Sequence, residues 1–312
     1  MDISLIIPVY NEEQNMLPLY DEIKNVLEEL GKTYEIIFVN DGSTDNTLQN
    51  LKDIKNDGQE LTIINLNRNF GQTAAIMAGF DQAKGNVIIT MDGDLQNDPH
   101  DIPGLLEKID EGFDLVSGWR KERKDLFLLR VLPSKVANSL ISKVLKVPLH
   151  DYGCTLKAYK RDVVKGINLY GEMHRFIPAI ASWKGANMAE LEVNHRSRKY
   201  GKTKYGINRT IKVLLDLVLV AFLSEYSTKP IRFFGGIGLL SAGLCLLSFL
   251  MVVLMKLIGG TDMTGNPLLV LSIVSILMSV QFFSLGFLSE INIRTYYESQ
   301  NKKTYHIKGI IG

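Results

Sequence analysis

Two long runs without charged side chains constrain the C-terminal third of this 312-residue chain. From about residue 231 the sequence becomes rich in Leu, Ile, Val, Phe and Gly. No charged residue lies between Arg232 and Lys256, and none lies in Pro267–Ser289. As helices, both runs are long enough to cross about 30 Å of hydrocarbon. The link at 259–266 is short and rich in turn residues, so the runs are predicted to form a hairpin. The alternative is a pair of apolar helices buried in a soluble fold.

The charges around these runs predict their orientation in a membrane. Basic residues flank the hairpin on one side, namely Lys229, Arg232, Arg294, Lys302 and Lys303. The link on the other side carries only Asp262, while Lys256 can extend its ammonium group to the interface. Because basic residues concentrate on the cytosolic side of membrane proteins, both ends of the hairpin are predicted to face the cytosol. The expected location is the inner (cytoplasmic) membrane.

The N-terminal part alternates between apolar segments of strand length and segments with helical periodicity. The predicted strands are Ile3–Val9, Tyr34–Val39, Leu61–Leu66, Val87–Met91 and Phe113–Ser117. Predicted helices at 12–30, 44–54 and 73–83 separate the first four strands. This alternation is typical of right-handed crossovers and an α/β fold with a mostly parallel sheet.

Composition excludes two classes of protein. The chain has 35 Lys and Arg against 34 Asp and Glu, so no overall basic charge indicates nucleic-acid binding. Its two cysteines, Cys154 and Cys245, lie far apart in the sequence. That spacing indicates neither a disulfide framework nor a cysteine metal site.

Three polar side chains follow the predicted fourth strand. Asp92, Asp94 and Gln96 occupy every second position, so in an extended segment their side chains would share one face. They would then direct oxygen atoms beyond the C-terminal end of the strand, where open α/β sheets bind ligands. Oxygen ligands of this kind suit Mg²⁺ or Mn²⁺ bound to phosphates. The alternative is a polar turn that caps the helix beginning after Asp98.

Two neighbouring strand ends also carry polar residues, in the segments 8–12 and 39–43. Parallel strands present such ends along one edge, where a nucleotide could place its base and ribose. Each segment also has a purely structural explanation. Asp41 to Thr44 suit a helix N-cap, and Glu12 with Glu13 suits a helix N-terminus. Asp41, Ser43 and Asp45 have the spacing of a calcium loop, but Asn46 replaces the glycine that an EF-hand requires.

Four motifs follow one another along the chain: Ile6-Ile7-Pro8-Val9-Tyr10-Asn11-Glu12, Val39-Asn40-Asp41-Gly42-Ser43, Asn67-Arg68-Asn69-Phe70-Gly71 and Asp92-Gly93-Asp94-Leu95-Gln96. In this order they resemble the family 2 glycosyltransferases, which bind nucleotide sugars with the GT-A fold. With the hairpin, the chain resembles the polyprenyl-phosphate branch related to dolichol-phosphate mannose synthase. Segments 151–159 and 176–178 are most similar to bacterial undecaprenyl-phosphate formamido-arabinose transferases.

The resemblance implies a reaction and a set of site residues. A sugar would pass from a nucleotide diphosphate, with UDP as the expected carrier, to a polyprenyl (undecaprenyl) monophosphate, with inversion. The implied nucleotide-sugar-binding residues are Pro8, Tyr10, Glu12, Asp41 and Asp92. The implied metal ligands for Mg²⁺ or Mn²⁺ are Asp92, Asp94 and Gln96, and the implied catalytic residues are Asp94, Asp92 and Asp151. The family also implies a homo-oligomer, a tetramer.

An amphipathic segment at 126–147 is predicted to form two interfacial helices with Pro133 near the break. By resemblance, Arg120, Arg130 and Ser134 match positions that bind the lipid phosphate. The alternative is contact between these arginines and lipid head groups. The basic segment 196–205 is expected to form a lid over the diphosphate, with Arg198, Lys202 and Lys204 on it. Its alternative is a solvated loop attracted to anionic lipid.

The expected domain organisation has four parts. A cytosolic GT-A catalytic domain occupies 1–206, a juxtamembrane helix 207–229, the two transmembrane helices 230–290, and a cytosolic tail 291–312. Two other functions are alternatives. A processive polysaccharide synthase would need a Gln-x-x-Arg-Trp motif, which the sequence lacks, and more than two spans. A non-catalytic protein that binds nucleotide sugar or assists lipid flipping would not need Asp92, Asp94 and Gln96 together.

Overall fold

The structure, a computed structural model, describes residues 1–57, 60–121, 132–167, 169, 171–183, 185–199, 217–218, 220–222, 230–260, 264–299 and 307–311. It divides into two compact units. The first comprises residues 1–220 and 303–312, and the second comprises residues 221–302.

The first unit is built on one sheet. Its described strands are β1 Ile3–Val9, β2 Tyr34–Asn40, β3 Leu61–Leu66, β4 Val87–Thr90, β5 Leu115–Trp119, β6 Lys157–Lys160, β7 Met188–Glu192 and β8 Ile307–Ile311. The order across the sheet is β7-β5-β6-β4-β1-β2-β3-β8. The central strands β4, β1, β2 and β3 are parallel, and β5 pairs with β7 in parallel. β6 and β8 are antiparallel to their neighbours.

Helices cover both faces of the sheet. Those described in this unit are α1 Met16–Glu29, α2 Thr47–Asp57, α3 Gln72–Gln82, α4 Ile102–Asp110, α5 Leu132–Leu145, α6 Arg161–Val164 and α7 Ile177–Trp183, with short 3₁₀ segments at Pro99–Asp101 and Met173–Phe176. Alternate residues of β1, such as Leu5 and Ile7, belong to the core shared with α1, α2 and α4. Ile6 faces the other way and packs under Gly79 of α3. Burial of both faces explains why the central strands are continuously apolar.

The predicted α/β fold with a mostly parallel central sheet is confirmed. The first four strands lie within one residue of their predicted bounds, whereas the fifth starts and ends two residues later. α1 begins only at Met16, because residues 11–13 bond to the loop after β2 instead of entering the helix. The antiparallel strands β6 and β8 were not predicted.

The predicted helix pair at 126–147 lies only partly within the described residues. α5 is one helix from Leu132 to Leu145, and Pro133 lies in its first turn. Proline is tolerated in a first turn, where its missing N–H is not needed, so Pro133 lies at the start of the second helix of the predicted pair. Residues 126–131 lie outside the described residues, as does most of the juxtamembrane helix predicted at 207–229.

The second unit is a helical hairpin, as predicted. Its described helices are α8 Pro230–Gly259 and α9 Pro267–Ser299. Within them, Pro230–Gly259 and Pro267–Ser289 are long and apolar enough to cross a membrane, judged by length and composition. The helices approach closely at small residues. A Cβ at Gly238 would lie 3.0 Å from the Phe283 ring, and the Ser279 hydroxyl donates to the Gly238 carbonyl at 2.8 Å.

Gly42 should tolerate substitution less well than a glycine with similar backbone geometry and free space. Gly42 has φ of +67°, and a Cβ there would lie 2.3 Å from the Arg68 carbonyl carbon. Gly31 has φ of +61° with nothing within 4 Å of that position. Gly31→Ala should therefore cost only left-handed strain, about 1–2 kcal/mol. Gly42→Ala adds overpacking and should cost about 2–5 kcal/mol in total. Thermal unfolding of both variants in detergent compares them, and equal losses in Tm would contradict the expectation.

Candidate active site

Polar residues from three adjacent strands meet at one edge of the sheet. β4, β1 and β2 are neighbours and run parallel, so their C-terminal ends lie side by side. Asp92 follows β4, Tyr10 and Glu12 follow β1, and Asp41 follows β2. Pro8 lies inside β1, opposite Val39. The structure thus brings together all the residues proposed for the nucleotide sugar.

The loop after β4 is a tight turn. The strand ends at Thr90, and Leu95 has φ of +61° with its side chain buried in the core. The Gln96 N–H donates to Asp94 Oδ1 at 3.2 Å, which closes the turn. The expectation that Asp92, Asp94 and Gln96 share one face of an extended strand is therefore wrong. A buried leucine and a side-chain-to-backbone bond take the chain out of the extended conformation.

Asp94 is buried in a strongly charged environment. Burial and the nearby charge of Asp92 raise the pKa of Asp94 to about 6, although Arg198 and the Gln96 N–H act in the opposite direction. Arg198 Nη2 donates to Asp94 Oδ2 at 2.5 Å, and its Nη1 lies 3.9 Å from Glu12 Oε1. The Arg198 guanidinium therefore neutralises Asp94.

The loop at 70–72 binds two carboxylates, Asp41 after β2 and Asp92 after β4. Both oxygens of Asp41 accept backbone N–H groups, from Phe70 at 2.7 Å and from Gly71 at 2.9 Å. The next residue, Gln72, donates from Nε2 to Asp92 Oδ1 at 2.6 Å. Burial raises the pKa of Asp41, and the two N–H groups partly offset this effect. Sequence reasoning missed Gln72, because the recognised motif ends one residue earlier.

Residues 194–198 run alongside the loop after β4. His195 forms an antiparallel bridge with Asn97, and the Arg196 N–H donates to the Gln96 carbonyl at 2.9 Å. The Arg196 guanidinium bonds Asp98 at 2.7 Å, and the Gln96 side chain donates to the Arg196 carbonyl at 3.4 Å. These contacts place Arg198 of the predicted lid on Asp94. The other two predicted lid residues, Lys202 and Lys204, lie outside the described residues.

Arg120 and Asp151 form a bidentate ion pair. Arg120 donates from Nε to Oδ2 at 2.7 Å and from Nη2 to Oδ1 at 3.0 Å. Burial opposes the charge on Arg120, but the Asp151 carboxylate outweighs it and raises the pKa of Arg120. Of the other residues predicted to bind the lipid phosphate, Arg130 lies outside the described residues. Ser134 lies in α5, and its side chain is likewise not described.

The residues around Asp94 fit a cation that binds together with a phosphate ligand. Asp92 and Asp94 lie close enough for one charge to raise the other's pKa, and a guanidinium already compensates Asp94. Among the described residues there is no group of three or more His, Cys, Asp or Glu side chains that could hold a metal alone. Mg²⁺ commonly binds through one or two carboxylates with substrate phosphates and water completing the shell. Asp92 and Asp94 therefore fit a Mg²⁺ or Mn²⁺ ion that arrives with a diphosphate.

The sheet and its polar edge define an α/β protein with a polar site at the C-terminal ends of its parallel strands. The chain belongs to glycosyl transferase family 2, whose family model matches residues 4–167. A dodecaprenyl-phosphate galacturonate synthase of Rhizobium johnstonii is 44% identical, over 99% of this chain and 93% of that protein. An undecaprenyl-phosphate 4-deoxy-4-formamido-L-arabinose transferase of Aeromonas hydrophila is 36% identical, over 99% of this chain and 94% of that protein.

Solved structures share the fold. Glucosyl-3-phosphoglycerate synthase of Mycobacterium tuberculosis, in complex with Mn²⁺, UDP and phosphoglyceric acid, aligns with a TM-score of 0.54 at 18% identity, covering 72% of this chain and 78% of that one. A complex of the same synthase with Mg²⁺ and UDP aligns with a TM-score of 0.52 at 17% identity, covering 72% and 78%. Because the sequence identity is below 25%, this structural similarity shows a shared fold and nothing about function.

Replacing Asp94 by Asn should preserve or raise stability. An acid whose pKa is raised by folding destabilises the folded state as the pH rises from its unfolded pKa, near 4, to its folded pKa, about 6. At pH 7.5 Asp94→Asn removes this penalty, so the Tm of the ligand-free protein should equal or exceed that of the wild type. Mn²⁺ binding in the presence of UDP, measured by electron paramagnetic resonance, should be lost.

Asp98→Asn is the matched control for this substitution. Burial opposes the charge of Asp98, but bonds from His100 and Arg196 outweigh it, so the pKa of Asp98 is lowered. Its charged form stabilises the fold at pH 7.5, and Asp98→Asn should lower the Tm while leaving Mn²⁺ binding intact. A large loss of Tm in Asp94→Asn, or unchanged Mn²⁺ binding, would contradict the assignment.

Proposed function

We propose that this protein transfers a sugar from a nucleotide diphosphate, with UDP as the carrier, to a polyprenyl monophosphate in the membrane. The product is a polyprenyl-phosphate sugar, which serves cell-envelope glycan or lipid modification. The observation that carries the proposal is the polar sheet edge with Asp92 and Asp94 beside Asp41. Membership of glycosyl transferase family 2 and the names of the two full-length relatives support it.

The donor would bind along this edge. Tyr10, Glu12 and Asp41, with Pro8 below them, would surround the nucleotide. Asp92, Asp94 and Gln96 would hold Mg²⁺ or Mn²⁺ against the diphosphate, as the metals and UDP bound by the structural neighbours suggest. When bound, the ion would neutralise charge on the departing diphosphate. Arg198 would have to leave Asp94 and could then bond a phosphate oxygen.

The chemistry places modest demands on the protein. The second pKa of a phosphomonoester is about 6, so the acceptor oxygen is already anionic at neutral pH. That oxygen attacks the anomeric carbon, the bond from this carbon to the diphosphate oxygen breaks, and its electron pair leaves with UDP. The configuration therefore inverts. Positioning of the two substrates in line supplies most of the catalysis. Asp151, whose carboxylate pairs with Arg120, is not required as a base.

The chain path supports a membrane arrangement with both ends of the chain on one side. Residues 303–312, including β8, belong to the same compact unit as residues 1–220. The chain between them contains two helices that are candidates to cross a membrane. An even number of crossings returns the chain to the side where it began, so the catalytic domain at 1–206 and the tail at 291–312 would share one side. The basic residues that flank the hairpin favour the cytosol as that side. Segment 207–229 would then lead from the domain into spans within 230–290.

The names of the two relatives agree on the class of acceptor but differ in the sugar. Both relatives are named for polyprenyl-phosphate acceptors, but one name specifies galacturonate and the other a formamido-arabinose. The first sugar carries a carboxylate and the second does not. A panel of UDP-sugars is therefore the appropriate test of the donor.

Full-length protein in detergent should convert undecaprenyl phosphate and one radiolabelled UDP-sugar of such a panel into a single chloroform-soluble product. Excess EDTA should abolish the reaction and excess Mn²⁺ or Mg²⁺ should restore it, because the diphosphate needs a countercharge. Asp94→Asn should be inactive under all these conditions. A polymer as product would favour a processive synthase, whereas nucleotide-sugar binding without any product would favour a non-catalytic role. Indifference to EDTA would remove the metal from the proposal.

Residues 262 and 301 should lie on opposite sides of the membrane. Single cysteines at Asp262 and Asn301, in a background with Cys154 and Cys245 replaced by Ala, can be labelled in intact spheroplasts with a membrane-impermeant maleimide. Cysteine at 262 should react from outside, and cysteine at 301 only after lysis, because the basic flanks keep the hairpin ends inside. Reaction of both, or of neither, before lysis would exclude the hairpin topology.

A further inference from the structure

We infer that Gln72 is a positioning residue of the proposed metal site, where it orients the carboxylate of Asp92. The inference rests on the proposed function and adds a residue that no sequence motif indicated. Gln72 is the first residue of α3 and is half-buried. It acts through Asp92 and does not itself contact the ion or a substrate.

The Asp92 carboxylate depends on Gln72 for its orientation. Gln72 Nε2 donates to Asp92 Oδ1 at 2.6 Å, and no described residue donates to Oδ2. The Asp92 N–H donates to Asn97 Oδ1 at 3.3 Å, which holds the main chain but does not fix the carboxylate. The Gln72 amide therefore holds one carboxylate oxygen and leaves the other for a ligand.

The chain around Gln72 is anchored on both sides. Before it, two consecutive backbone N–H groups donate to Asp41 at 2.7 and 2.9 Å. After it, the Thr73 hydroxyl and His174 Nδ1 are hydrogen-bonded at 2.7 Å. At the turn into α3, Gly71 has φ of +93° and ψ of 160°, a conformation that glycine adopts far more readily than other residues. A donor held in this way is in position before a ligand arrives, which lowers the ordering cost of binding.

The charges around Asp92 do not replace this bond. Asp94, Arg120 and Lys157 all interact electrostatically with Asp92, and they include groups of both signs. Within the described part of the chain, each of the three has its hydrogen bonds elsewhere and none bonds the Asp92 carboxylate. Electrostatic interactions without such contact have no fixed direction, so they do not set the plane of the carboxylate as a short hydrogen bond does.

A neutral donor suits a metal ligand better than a cation does. At Asp94 the Arg198 guanidinium compensates the charge, so it must leave before an ion can take its place. The Gln72 amide orients Asp92 without compensating its charge, and it can remain bonded while Oδ2 binds the ion. Carboxylates that bind metals are generally held by outer hydrogen bonds of this kind, and loss of such a bond typically weakens metal binding about 10–100-fold.

Two variants of the full-length protein test the inference, Gln72→Met and Gln72→Asn. Methionine has nearly the same length as glutamine but no donor, whereas asparagine keeps the amide on a side chain one methylene too short to reach Oδ1. The matched control is Gln49→Met. Gln49 is exposed on α2 and donates from Nε2 to Asp53 Oδ1 at 2.8 Å, so this control removes the same kind of bond from a carboxylate outside the site.

The measurements are made on purified protein in detergent. Electron paramagnetic resonance gives the Mn²⁺ dissociation constant in the presence of UDP, and calorimetry gives the UDP dissociation constant in EDTA. Both Gln72 variants should raise the Mn²⁺ dissociation constant about 10–100-fold, and sugar transfer should need correspondingly more Mn²⁺. UDP affinity in EDTA and the KM for undecaprenyl phosphate should stay at wild-type values, because Gln72 touches neither substrate. Gln49→Met should match the wild type in all of these measurements.

Two results would overturn the inference. In the first, Gln72→Met binds Mn²⁺ as tightly as the wild type does. In the second, UDP affinity in EDTA falls as much as Mn²⁺ affinity, which would assign Gln72 to the diphosphate. If Gln72→Met does not fold, as judged by its Tm, Gln72→Asn decides between these outcomes.

Failure of the proposed function is distinguishable, because it would appear in the wild type. A wild type that binds Mn²⁺ with UDP but forms no lipid-linked sugar would overturn the proposed transfer and leave the role of Gln72 standing or falling by the binding data. A wild type that binds no Mn²⁺ with UDP would overturn both the metal site and the role of Gln72.

Discussion

The repulsion between two carboxylates in one tight loop sets the electrostatic requirement of this site. Asp94 is buried beside Asp92, and both burial and that neighbouring charge raise its pKa to about 6. A cation must therefore accompany the ionised pair, and here Arg198 supplies it. Because a diphosphate with its metal brings both a cation and an anion, it can replace the guanidinium on Asp94 and offer Arg198 a new partner. With the donor bound as proposed, the charge at Asp94 would remain balanced.

The loop 70–72 couples the two halves of the proposed donor site. The residues just before this loop, Arg68 and Asn69, pack against Gly42, where a Cβ would lie 2.3 Å from the Arg68 carbonyl carbon. Asp41 fixes the start of the loop through two N–H groups, and Gln72 at its end fixes Asp92. The strand between them, β1, contributes Tyr10 and Glu12 to the same edge. A shift of Asp41 on nucleotide binding would consequently be transmitted to a carboxylate proposed as a metal ligand.

Local pattern predicted the central sheet, because β1 to β4 are parallel strands buried on both faces and therefore appear as uninterrupted apolar runs. It also predicted that their polar ends meet. β6 could not be predicted in this way, since Lys157–Lys160 is short and has a lysine at each end. β8 pairs with β3 across more than 200 residues of chain. The contacts of Asp92 with Gln72 and of Asp94 with Arg198 also join distant segments, which spacing along the sequence does not reveal.

The pairing of Asp151 with Arg120 makes sense if the nucleophile needs placement and no deprotonation. A general base needs an oxygen that can receive a proton, whereas Asp151 accepts two guanidinium bonds and a backbone N–H. Burying such a pair costs desolvation energy that the attraction only partly offsets. We propose that the ion pair serves to orient Arg120. The bidentate bond engages Nε and Nη2 and so fixes the plane of the guanidinium beside Gly153. An acceptor that is already anionic would need a fixed cation at this position, and under the proposed function the Asp151 carboxylate would keep the Arg120 guanidinium in place before the acceptor binds.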